Sequence, residues 1–185
     1  MVARTAMVPD GDPAPVGFAL TPEAHAILNH GGIPGISSPI ITGTCVNATG
    51  GAFPEGALIA PGGADAAFGG DLDAQLATAA DISVIAANVL GVVTESGGVA
   101  SGGGIGTMAF AGPVRVLLVI GLTLITGQDI YLSAATPGRG TNVAPSGVGV
   151  SVQRVGTLVG KLTYTGAGEA LAYVLMFPAQ RTEVK

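Results

Sequence analysis

Runs of aliphatic and β-branched residues, broken repeatedly by Gly, Pro or short polar groups, recur along most of the chain, and the densest is Pro113–Leu132, PVRVLLVIGLTLITGQDIYL. Val, Ile and Thr are stiff at χ1 and fit a pleated surface, so this stretch predicts two or three buried strands with reversals at Gly121 and Gly127. A membrane helix needs about 18 or more unbroken apolar residues; here Arg115 stands near the start, and Gly121, Thr123, Thr126 and Gly127 interrupt the remainder. Further strands are expected at Ser38–Val46, Ala57–Ala60, within Ile82–Glu95, and at Ile105–Phe110 and Val114–Ile120 paired across a turn at Ala111-Gly112-Pro113. Leu122–Ile125, Ile130–Ala134, Val150–Val159, Lys161–Thr165 and Leu171–Phe177 continue the series. Asp71–Ala80 fits either a helical stripe through Leu72, Leu76, Ala79 and Ala80 or an edge strand. Ser96–Gly104 reads as a flexible connection and Thr136–Gly149 as turn-rich. Short strands at a spacing of roughly 8–12 residues indicate an all-β fold, a small β-barrel or β-sandwich with Gly/Pro-rich loops, rather than alternating α and β units.

The N-terminal region has a different pattern. Residues 1–20 are rich in proline and show no sustained period, so they predict an extended arm with apolar anchor points at Met7, Val8, Val16, Phe18 and Leu20. Thr21-Pro22-Glu23 then offers an N-cap, a first-position proline and an acidic first turn, and Gly31-Gly32 a stop, which predicts one short helix over Pro22–Asn29. The expected division is residues 1–50 as the N-terminal arm with its helix and residues 51–185 as the β-barrel or sandwich domain.

A chain of 185 residues can bury one sizeable core. Only 10% of residues are charged and 48% are hydrophobic, which is not the composition of a disordered protein. The net charge is −5 and the few basic residues are scattered from Arg4 to Lys185, so no phosphate-binding face is expected and nucleic acid is excluded as a partner. The single cysteine, Cys45, has no internal disulfide partner and reads as a small buried hydrophobe. Pro9, Asp10, Asp12, Pro13 and Pro15 interrupt any apolar core of a signal peptide. Asn47-Ala48-Thr49 matches the glycosylation triplet, which means little without a secretory route.

Candidate chemistry is sparse. Gly102-Gly103-Gly104-Ile105-Gly106 lacks the spacing and the following helix of a dinucleotide loop, and reads instead as a flexible hairpin loop. Gly160-Lys161 is followed by Leu162 where a P-loop needs Ser or Thr. No serine occupies a Gly-x-Ser-x-Gly elbow, and a catalytic triad would have to recruit His25 or His30. Those histidines are spaced wrongly to share one helix face as metal ligands, and Asp65, Asp71 and Asp73 lack the rest of an EF-hand loop. With three Tyr, five Phe and no Trp there is no stacking platform for single-stranded nucleic acid or sugars. The expectation is a protein that is not an enzyme, with no catalytic, cofactor-binding or metal-binding residues and no cofactor.

The second half, roughly residues 80–178, resembles the small capsid decoration or cement proteins, the head auxiliary proteins of bacteriophages. The likeness runs through Val89-Leu90-Gly91-Val92-Val93, Val114–Ile120, Thr126-Gly127-Gln128-Asp129-Ile130-Tyr131-Leu132-Ser133 and Val155-Gly156-Thr157-Leu158-Val159, and closes with Ala170–Met176. It is a pattern of strand spacing and turn glycines. The resemblance implies a structural virion protein made in the host cytoplasm that binds the outside of a capsid shell and stabilises it. Its implied partners are the major capsid protein and copies of itself in a homotrimer, with no nucleic acid and no membrane. Ile33, Ile36, Ile40 and Phe53 are candidate anchors on the shell or, equally, core residues. Deleting residues 1–20 should weaken co-sedimentation with shells while leaving the domain folded. A phage tail, baseplate or fibre component and a receptor- or glycan-binding module are the alternatives.

Overall fold

The computed structural model describes residues 40–62, 72–80, 88–119, 124–166 and 169–183. The expected arm over 1–20, the helix at Pro22–Asn29 and the first part of Ile82–Glu95 lie outside these residues. The strands are β1 (Ile41–Asn47), β2 (Leu58–Pro61), β3 (Leu72–Leu76), β4 (Gly91–Val93), β5 (Gly104–Val119), β6 (Asp129–Leu132), β7 (Gly140–Thr141), β8 (Ser151–Gly166) and β9 (Glu169–Glu183). The fold is all-β, with no helix among the described residues.

The strand pairings close on themselves twice. β1 runs parallel to β3, β3 is antiparallel to β2, β2 to β4, β4 to β5, and β5 returns to β1, which completes a five-stranded ring. β5 also pairs with β7 in parallel, β7 with β6, β6 with β8, β8 with β9, and β9 returns to β5. Closure removes the open strand edges that an antiparallel sheet would otherwise present.

Each ring is explained by which side chains its strands turn inward. Cys45, Ile59, Ala74, Val93 and Met108 come one from each strand of the first ring and form a buried cluster with Phe53, Ala57 and Val99. The larger cluster takes Val114, Val116 and Leu118 from β5, Ile130 and Leu132 from β6, Val155 and Leu158 from β8, and Ala172, Val174 and Met176 from β9. Successive strand residues face opposite ways, so β2 gives Ile59 to the first cluster and Leu58 and Ala60 to the second, while β4 divides Val93 from Val92 in the same manner. Strands β2 and β4 are therefore walls common to both cores.

The long strand β5 corrects the expected turn at Ala111-Gly112-Pro113. The chain does not reverse there; it changes partners, pairing with β1 through Ala111 and with β9 from Gly112 onward. Gly112 has φ +106°, a conformation open to glycine, and Pro113, which has no N–H to give, fits where the ladder is being handed over. Likewise Val150–Val159 and Lys161–Thr165 are not two strands but the single β8, whose register against β9 shifts between Arg154 and Gly156, Leu158 and Leu162, and Tyr164 and Gly166. Bulges absorb the irregularity that the sequence pattern suggests is a break.

Other expectations divide similarly. Asp71–Ala80 contains strand β3, held between β1 and β2 and so not at an edge. Leu124 and Ile125 are not in a strand, and the rest of the Leu122–Ile125 run lies outside the described residues. Ser96–Gly104 is more ordered than a slack connection: Val99 is buried and exchanges hydrogen bonds with Phe53, N–H to carbonyl in both directions at 2.9 and 2.7 Å. Strand β1 lies in the interval 1–50 assigned to the arm, yet it is an integral member of the first ring.

Candidate interaction surface

A groove of about 330 Å³ opens where β5 passes from β1 to β9. Its walls are Ile41 at the start of β1, Phe110 and Ala111 on β5, Met176 and Phe177 on β9, and Asn88, Val89 and Leu90 ahead of β4. Pairing brings these segments together: Ile41 faces Ala111, Met176 faces Gly112, and a bulge between Ile41 and Thr42 turns the start of β1. Ile41 is 57% exposed, large for an isoleucine on a paired strand.

The walls are fixed by local contacts. The Phe110 ring lies over Gly43, where an added Cβ would come within 2.7 Å of Cε2. The backbone N–H of Leu90 donates to the Ile59 carbonyl at 2.9 Å, and that of Val89 donates to Oε1 of the buried Gln153 at 3.1 Å. On Phe177 the guanidinium of Arg154 sits 5.3 Å from the ring centroid, within cation–π range. Arg154 is itself held by Asp129 at 2.7 Å and by the Thr157 hydroxyl at 2.8 Å. Arg115 pairs with Glu55 at 2.8 Å. Among the described residues no ionisable side chain lines the groove, so what it offers a partner is mostly apolar area from the exposed Ile41 and the half-buried Leu90, Phe110 and Phe177, while Met176 is buried with the core.

The residues singled out from sequence are placed elsewhere. Phe53 is completely buried at the centre of the first cluster, so the anchor role is corrected in favour of core packing. Ile40 is partly buried against the larger cluster, and Ile33 and Ile36 lie outside the described residues. Cys45 is buried in the first ring, as a small hydrophobe would be. His25, His30, Asp65 and Asp71 are outside the described residues, and Asp73 lies on β3 opposite Val46. Among the described residues no His, Cys, Asp and Glu side chains gather as a metal-binding group.

The glycine cluster and the glycosylation triplet turn out to be one structural unit. The N–H groups of Gly102 and Gly103 donate to the carbonyls of Thr49 and Asn47, at 3.0 and 2.7 Å, so they are committed to protein acceptors rather than turned toward an anion. Asn47 is fully buried; its Nδ2 donates to the Gly51 carbonyl at 2.8 Å and its Oδ1 accepts from the Thr49 N–H at 3.0 Å. The amide that a glycan would modify thus closes a turn from inside. Asn47→Ala should lower stability by about 1–3 kcal/mol, the range for leaving buried partners unsatisfied, read as a fall in the urea midpoint at unchanged slope.

Sequence reasoning missed the groove because its residues come from separate strands and each looks locally like ordinary core. Within the described residues no helix is long and apolar enough to cross a membrane. No protein-family model and no curated protein matches the sequence.

Proposed function

We propose that this chain is a structural virion protein of the decoration or cement type, which attaches to the outer face of a phage capsid and reinforces it without doing chemistry. The observation that carries the reading is the groove: an apolar, partly exposed surface, with no ionisable lining among the described residues, set on a scaffold whose strands are closed into rings. A surface of that kind suits adhesion. Filling it with one or two aliphatic side chains from a shell subunit would contribute about 1.5–3 kcal/mol for each fully buried chain, and repetition over a shell multiplies such modest contacts by avidity. Association with copies of itself in a trimer belongs to the same proposal and rests on the resemblance of residues 80–178 to decoration proteins.

The test is reconstitution. Purified protein mixed with shells that lack it should co-sediment saturably and raise the temperature at which the shells rupture. Ile41→Lys places a charge at the mouth of the groove on a side chain that is already 57% exposed. Its unfolding midpoint should match the parent's, whereas its shell affinity should fall about tenfold or more, equivalent to about 1.4 kcal/mol. Undiminished binding by a folded Ile41→Lys variant would overturn the groove as the attachment surface, and a parent protein that ignores shells altogether would overturn the function.

A further inference from the structure

We draw no further inference here: the strongest candidate, the apolar groove between β1, β5 and β9 lined by Ile41, Phe110, Met176 and Phe177, belongs to the surface already described, and nothing in the structure shows which partner covers it.

Discussion

Replacing Phe53 by alanine should lower the unfolding free energy by about 3–5 kcal/mol, the usual loss for truncating a fully buried aromatic ring. The ring has no exposed surface and shares its cluster with Ile59, Val93, Val99 and Met108, whose backbones are tied into strands or a bridge, and with Ala57, hydrogen-bonded to Pro54 and Val93, so they cannot collapse far into the space left behind. Domains are commonly stable by only about 5–15 kcal/mol, which makes this a severe change. Urea unfolding followed by tyrosine fluorescence and circular dichroism provides the measurement, with Phe53→Leu as the milder comparison. The same variants separate core from anchor. An anchor on a partner would leave the midpoint alone and abolish binding; a core residue shifts the midpoint first.

A second large loss is expected for Gly98→Ala. Gly98 adopts φ +84°, and a Cβ there would collide with the Phe53 carbonyl oxygen while standing 3.0 Å from the Cα of Pro54. That carbonyl accepts the Val99 N–H at 2.7 Å, so relieving the collision means opening the bridge that seats Val99 in the core. Left-handed strain contributes roughly 1–2 kcal/mol and the overlap with backbone a further 1–3 kcal/mol or so. The neighbouring Gly97 has nearly the same conformation, φ +85°, with open space around it. Gly97→Ala should therefore show the strain alone. A denaturation midpoint for Gly98→Ala no lower than that of Gly97→Ala would mean that the bridge gives way without cost.

Strand positions were legible where a short run rich in aliphatic or β-branched residues stood between Gly, Pro or polar groups. Ser38–Val46, Ala57–Ala60 and Ile130–Ala134 became β1, β2 and β6 within a few residues at each end. What local pattern cannot convey is the exchange of partners. Gly112-Pro113 carries the chemistry of a turn, yet the chain continues because β9 is waiting to replace β1 alongside it. Gly160 looks like an interruption of β8, but pairing with β9 resumes beyond it, Leu158 facing Val174 and Leu162 facing Ala172 across a register shift, so the strand runs on. Val99 sits among Ser and Gly residues that suggest slack, and it is Phe53, distant in sequence, that draws it inward. The groove was hidden for the same reason. Ile41, Phe110 and Phe177 become a surface only when three remote segments meet.

Sharing β5 between the rings also orders events during synthesis. Every strand of the first ring has left the ribosome once Ala111 has emerged, so that ring can begin to close on the nascent chain. Its outer wall then carries Leu58, Ala60, Val92 and Ala109, residues whose cluster is completed when β6, β8 and β9 arrive. Until then the half-made protein wears a greasy stripe, and chaperone attention or premature clumping would concentrate on that interval of translation.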